Sequence, residues 1–238
     1  MTTTSRNARV AGFLYLLLAI AGPLRLMYIP STLFVHGNAA ATTSNIVAHE
    51  TLFRLGIVGD LFCGTIIIFL TLAFYRLFKG VHQYLAVLVV ILGGVLPAAL
   101  DFFIVLNDSA ALILARGAEF LSAFNKPQRD ALAILFLRLH DQEILAAGIF
   151  WGLWLLPLGI LAYKSRFLPR FLGVWLIANG FAYLANSLTG LLIPRYENAV
   201  GNVTFPILTG EVAFLLWLLL MGAKDEPLRV ARSLSSNS

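Results

Sequence analysis

The chain has 238 residues, of which 59% are hydrophobic and only 12% are charged, and its mean hydropathy is +0.85. Soluble domains carry about twice that share of charged residues, so the composition excludes a water-soluble globular protein and indicates a chain surrounded mostly by lipid. The pI near 9.6 does not indicate nucleic-acid binding, because the Lys and Arg residues lie in short loops and tails, where they set membrane orientation. The single cysteine, Cys63, excludes an internal disulfide framework and a cysteine-cluster metal site.

Six segments are long and apolar enough to cross a bilayer as helices, which takes about 20 residues each. The first runs from about 10 to 29 and is too long for a cleaved signal peptide, so it is interpreted as a retained span. The others are predicted at about 51–78, 84–106, 143–163, 171–193 and 204–221. Ten basic residues fall on the side of the termini and six on the other side, which predicts that both termini are cytoplasmic.

The longest connection, at about 107–139, contains two stretches of helical spacing, SAALILA and RDALAILFLRL, separated by Asn-Lys-Pro at 125–127. This pattern predicts a partly helical extracytoplasmic cap between the third and fourth spans. We expect residues 1–224 to form a single six-helix transmembrane domain and residues 225–238 to be a disordered cytoplasmic tail.

Polar residues fall in the outer half of every predicted span. A charged side chain near the bilayer centre costs about 2.5–3.5 kcal/mol, so Asp60, Asp101 and Glu211 are expected to avoid lipid and to face one cavity open to the outer side. Aromatic residues on the fourth and fifth spans are expected to form the cavity wall. The predicted cavity residues are Arg25, Arg54, Asp60, Asp101, Glu143, Phe150, Trp154, Trp175, Asn179, Tyr183, Asn186 and Glu211.

A histidine and a carboxylate, His140 and Glu143, stand at the entrance of the fourth span, and His49 with Glu50 stands at the entrance of the second. Such groups are candidates for acid–base catalysis. His140, Glu143 and His49 are also candidate metal ligands. No HExxH motif is present, and HETLFR places the cation Arg54 where a second ligand is wanted, so no metal is predicted and no cofactor can be named. The alternative is that these residues are interfacial polar groups and ion pairs that fix helix packing.

Three segments carry a family resemblance: HETLFRLG, HDQEILAAGIFWGLWLLPLGILAYKSRFLPRFLGVWLIANGFAYL and LTGEVAFLLWLLLMGAK. They resemble the bacterial membrane proteins of domain-of-unknown-function family 4386, over about residues 9–224. The resemblance implies a multi-span protein of the bacterial inner membrane. It implies no substrate, cofactor or catalytic residue.

Three functions therefore stay open. The first is the binding or transport of a small molecule or lipid-like ligand in the outer cavity. The second is an intramembrane enzyme that acts on a lipid or prenyl-like substrate through His140 and Glu143. The third is a structural membrane protein without pocket chemistry. Membrane lipid is the expected partner in all three, nucleic acid is not expected, and the sequence indicates no protein partner.

Overall fold

The computed structural model of the chain describes residues 3–223, and this part is built of helices with no strand. In chain order the helices are α1 (Thr3–Leu33), α2 (Ala39–Ala48), α3 (Glu50–Phe78), α4 (Gln83–Arg116), α5 (Lys126–Lys164), α6 (Arg170–Leu192) and α7 (Pro194–Met221). All except α2 are long and apolar enough to cross a membrane. The predicted all-helical protein with six spans is thereby confirmed. The tail predicted at 225–238 lies outside the described residues.

Several helices extend well beyond their predicted apolar segments, because hydropathy detects only the part of a helix that suits lipid. The connection at 107–139 is an example, since most of it continues α4 and α5. Gly117, with a left-handed φ of 71°, ends α4, and a capping box between Asn125 and Gln128 begins α5. A cap outside the membrane stays a prediction. The short helix α2 was not predicted.

The six long helices form a ring in which each packs against the next along the chain and α7 packs back on α1. Small residues bring the helix backbones close together. In the pair of α5 and α6, a Cβ added at Gly152 would lie 2.6 Å from the carbonyl oxygen of Gly180. In the pair of α1 and α7, a Cβ added at Gly12 would lie 2.6 Å from the backbone nitrogen of Leu219. This last contact closes the ring.

The ring has two ends, which we name the terminal end and the distal end. The terminal end is where Thr3, Phe78, Gln83, Lys164, Arg170 and Met221 lie, and the distal end is the opposite one. Both ends of the described chain are therefore on one side, as six spans require. That this side is cytoplasmic stays a prediction.

Two hydrophobic cores hold the ring together, one toward each end. The core toward the terminal end is rich in aromatic residues, including Tyr15, Phe74, Phe78, Trp154 and Phe214. The distal core is smaller and joins the end of α1, helix α2 and the extensions of α4 and α5 through residues such as Leu33, Ile46, Phe53, Leu112 and Leu137. Polar groups of the middle of the bundle lie between these two cores.

Candidate functional site

Three charged side chains meet in the middle of the bundle. Arg25 lies on a π-helical turn of α1, Leu24–Tyr28, and its guanidinium forms an ion pair with Asp60 of α3. Its second terminal nitrogen, Nη2, lies 3.6 Å from Oδ1 of Asp101 on α4. None of the three side chains is more than 9% exposed. One guanidinium thus forms ion pairs with two buried carboxylates.

One hydrogen-bond donor of this cluster has no acceptor among the described residues. The Nε of Arg25 is buried and has no hydrogen-bond partner among the described residues. Gly64 on α3 makes room for Asp101, since a Cβ at Gly64 would lie 3.0 Å from Oδ2 of that carboxylate. A buried donor without an acceptor is costly, so the unpaired Nε–H of Arg25 offsets part of the free energy gained from its two ion pairs.

A second polar cluster centres on Glu211 of α7. The hydroxyl of Tyr15 on α1 donates a hydrogen bond to the Glu211 carboxylate, and Tyr183 on α6 lines the same cavity. The amide of Asn179 on α6 is oriented so that both its nitrogen and its oxygen have hydrogen-bond partners. In this orientation the oxygen accepts from the backbone N–H of Glu211 at 2.9 Å. The turn of α7 that carries Glu211 is therefore fixed by its neighbour α6.

A cavity of about 380 Å³ joins the two clusters. Its polar lining comes from Arg25, Asp101, Glu211, Tyr15 and Tyr183, and its aromatic lining includes Trp151 and Trp154. The remaining lining residues are Leu18, Ala19, Gly22, Pro23, Leu26, Met27, Cys63, Ile67, Leu208, Val212 and Leu215. Two of them, Met27 on α1 and Val212 on α7, are 69% and 50% exposed. The cavity therefore reaches the outer surface of the bundle between α1 and α7.

The aromatic wall depends on a second π-helical turn, Ile91–Val95 of α4. Gly93 lies in this turn, and a Cβ at that position would collide with the indole ring of Trp154. The ring of Trp154 lies 6.1 Å from that of Tyr15, and the ring of Trp151 lies 6.1 Å from that of Tyr183. Four aromatic rings thus line the cavity that also contains Glu211.

His140 belongs to a separate cluster toward the distal end. Its Nδ1 lies 2.7 Å from Oδ1 of Asp108, which is buried on α4. Asp108 and Asp101 share one face of α4 and are two helical turns apart, about 10 Å. His140 does not line the cavity, so the polar residues of the outer half form more than one cluster.

The charged residues at the start of α3 lie on the surface. Nε of Arg54 is 2.7 Å from Oε1 of Glu50, and the Arg54 side chain is 52% exposed. His49 contacts the backbone carbonyl of Asn45 through Nδ1, at 3.1 Å. No group of three His, Cys, Asp or Glu side chains suited to a metal ion occurs within residues 3–223. His49, Glu50, His140 and Glu143 are thus not brought together.

Several other predicted cavity residues also lie outside the cavity lining. Trp175 donates from its indole nitrogen to the carbonyl of Ile207 at 2.9 Å, and Asn186 accepts from the hydroxyl of Thr204 at 2.8 Å. One carboxylate oxygen of Glu143 is buried without a hydrogen-bond partner among the described residues. Seven of the twelve predicted cavity residues lie outside the lining: Arg54, Asp60, Glu143, Phe150, Trp175, Asn179 and Asn186.

Two residues that line the cavity, Tyr15 and Trp151, are missing from the sequence-based set. Tyr15 carries the single hydrogen-bonding side chain in the run VAGFLYLLLAIAGPL, which is a signal that could have identified it. Trp151 precedes Trp154 by three residues, so it lies on a nearby face of α5. Both residues line the cavity because helices that are distant in the sequence come together in the folded ring.

Comparison with known proteins agrees with this architecture. Residues 10–222 match the family described as Domain of unknown function (DUF4386). The chain is also 36% identical over 92 residues to an uncharacterized protein of Archaeoglobus fulgidus, a match that covers 37% of this chain and 54% of that protein. The chain thus spans about half the length of this relative. No solved structure matches the chain.

The six apolar helices support a multi-pass membrane protein in contact with lipid. Because the relative is archaeal, the bacterial origin and the location in the inner membrane stay predictions. The family match covers most of the chain and confirms the resemblance found in the sequence. The chain belongs to the DUF4386 family, whose function is unknown.

Proposed function

We propose that the protein binds, in the interior of the bundle, a small amphiphilic molecule with a cationic amine that enters from the lipid. The observation that supports this most is that the carboxylate of Glu211 lines the same cavity as the rings of Tyr15, Tyr183, Trp151 and Trp154. Aromatic faces attract cations through their quadrupole, and cages of such rings are a known means of binding quaternary ammonium groups. A carboxylate in the same cage adds a formal counter-charge.

Charge at the site favours a cation over an anion. Asp60, Asp101 and Glu211 provide three carboxylates, whereas Arg25 provides one guanidinium. When all four groups are ionised, two negative charges have no counter-charge within the cluster. Because uncompensated charge inside a membrane is costly, a bound cation or bound protons must reduce it. The charges of the cluster therefore favour an organic cation over an anion as the ligand.

The size and the opening of the cavity favour an amphiphile. Its volume of about 380 Å³ falls within the usual range of small-molecule sites, about 300–1,000 Å³. The opening between α1 and α7 is bordered by Met27 and Val212, which are apolar, so a ligand enters from the lipid phase.

We expect Glu211→Gln to weaken binding of benzyltrimethylammonium at least 10-fold, because the substitution removes the counter-charge and keeps the shape of the side chain. Binding is measured by quenching of tryptophan fluorescence in lipid nanodiscs, since Trp151 and Trp154 line the cavity. The matched control is Glu197→Gln on the same helix, whose carboxylate is exposed.

Neopentylbenzene, in which carbon replaces the charged nitrogen, is expected to bind weakly to both proteins. Equal affinity of wild type and Glu211→Gln for the cation would overturn the proposal. Equal affinity of the wild type for the cation and its neutral isostere would do the same. Uptake of the cation by proteoliposomes, measured in parallel, separates transport from binding alone.

A second candidate function rests on the pair of His140 and Asp108. A carboxylate 2.7 Å from Nδ1 orients the imidazole and leaves Nε2 free, as in general bases of known enzymes. An enzyme acting on a lipid or prenyl-like substrate at the distal end would use His140 with Asp108, rather than His140 and Glu143 as the two acid–base groups. Loss of turnover in Asp108→Asn, with cation binding in the cavity unchanged, would favour this function over the first.

A further inference from the structure

Charge is divided unevenly between the two ends of the bundle. Among residues 3–223, every Asp and Glu lies between the middle of the bundle and the distal end. The terminal end carries the basic residues Arg6, Arg9, Arg76, Lys79, Lys164, Arg166 and Arg170. The described part of this end therefore presents positive charge with no acidic side chain to neutralise it.

A cavity of about 390 Å³ lies within this basic end. Three chain segments line it: the start of α1, the turn between α3 and α4, and the turn between α5 and α6. Its lining is polar on one part and apolar on the other, and consists of Thr4, Leu77, Gly80, Val81, Lys164, Ser165, Arg166 and Phe167. The cavity is separate from the one that contains Glu211.

The two cations lie at the end of α5 and in the turn that follows it, and residues beside them are anchored by packing and a hydrogen bond. The ring of Phe167 stacks on that of Phe78, with centroids 5.7 Å apart, and Leu168 beside it is buried. The hydroxyl of Ser165 donates to the carbonyl of Ala162 at 2.8 Å. Between these anchors, Arg166 adopts a left-handed backbone with φ of 61°.

A left-handed backbone disfavours any residue with a Cβ, so glycine or asparagine would suit this position better than arginine. Arginine at a strained position indicates that its side chain matters. Within residues 3–223, neither Lys164 nor Arg166 forms an ion pair. Two cations are therefore held beside a cavity and lack an anionic partner in the described chain.

The geometry points to this cavity as a binding site for the phosphate-bearing headgroup of an anionic phospholipid. Lys164 and Arg166 contact the phosphate, and the hydroxyl of Thr4 is a further donor. Leu77 and Val81 give the site an apolar side. Such a side can contact the acyl chains of a phospholipid, whereas a free phosphate ion would gain nothing from it. The site is independent of the proposed function at Glu211.

The test is native mass spectrometry of the full chain in detergent, with phosphatidylglycerol and phosphatidylcholine of identical acyl chains as probes. Wild type is expected to retain phosphatidylglycerol at least 10-fold better than phosphatidylcholine. The double variant Lys164→Gln with Arg166→Gln is expected to lose this preference. Arg138→Gln, which removes an exposed cation at the distal end, is expected to keep it.

A second variant guards against misfolding. Arg166→Gly removes the cation and relieves the left-handed strain, so it is expected to fold and still to lose a large part of the preference for phosphatidylglycerol. Retention of the full preference in Arg166→Gly and in the folded double variant would overturn the proposal. Displacement of phosphatidylglycerol from wild type by millimolar inorganic phosphate would show a free-phosphate site and would overturn the assignment to a lipid.

Discussion

Arg25→Met is expected to destabilise the protein by roughly 3–5 kcal/mol, the usual loss when one partner of a buried ion pair is removed. The substitution keeps the length of the apolar stem but leaves Asp60 and Asp101 without a cation in the middle of the bundle. The measurement is heat- or denaturant-induced unfolding in detergent, followed by circular dichroism. Arg54→Gln is the matched control, because its ion pair with Glu50 is exposed and is worth about 1 kcal/mol or less.

A compensating variant separates loss of charge balance from loss of packing. Arg25→Met combined with Asp60→Asn and Asp101→Asn removes all three charges, and replacement of a whole buried charge network is often close to neutral. We therefore expect the triple variant to recover most of the stability lost in Arg25→Met. If Arg25→Met were as stable as Arg54→Gln, the buried cluster would have no structural role.

Gly93→Ala is expected to destabilise the protein by about 1–3 kcal/mol and to reduce cation binding in the cavity. The added methyl group would collide with the indole of Trp154, and overpacking of this kind usually costs that amount. Displacement of the indole also disrupts the wall around Glu211. Gly59→Ala on α3 is the control, because a Cβ there meets no atom within 4 Å.

A double-mutant cycle identifies the collision itself. In a Trp154→Leu background the ring is absent, so Gly93→Ala is expected to cost much less than it does in wild type. Unfolding measurements on the four proteins give the coupling energy between positions 93 and 154. Additive effects would contradict the contact between Gly93 and Trp154, and normal cation binding by Gly93→Ala would contradict the role of that contact in the cavity wall.

The six spans could be predicted because lipid imposes a simple requirement: about 20 apolar residues with every backbone group satisfied inside the helix. Their true lengths could not be predicted, because helices such as α5 continue as polar, well-capped segments beyond the apolar run. The same requirement predicted that Asp60 and Asp101 avoid lipid, and both lie buried against Arg25.

The partners of individual polar residues were harder to predict, since they depend on the height and rotation of each helix. Two π-helical turns, Leu24–Tyr28 and Ile91–Val95, change the rotation that a regular 3.6-residue period assigns to the residues beyond them. The pairing of Asp108 with His140, and the contact of Tyr15 with Glu211, arise only when distant helices meet in the ring. Sequence periodicity within one helix carries no information about these contacts.

The most direct test of an amine site in the cavity is a crystal structure of the protein with (4-bromobenzyl)trimethylammonium, with data collected at the bromine absorption edge. We expect an anomalous bromine peak inside the cavity between α1 and α7, with the ammonium group against Glu211 and the rings of Trp151 and Trp154. The peak is expected to disappear in Glu211→Gln. Bromine peaks confined to the outer, lipid-facing surface of well-diffracting crystals would contradict the proposed function.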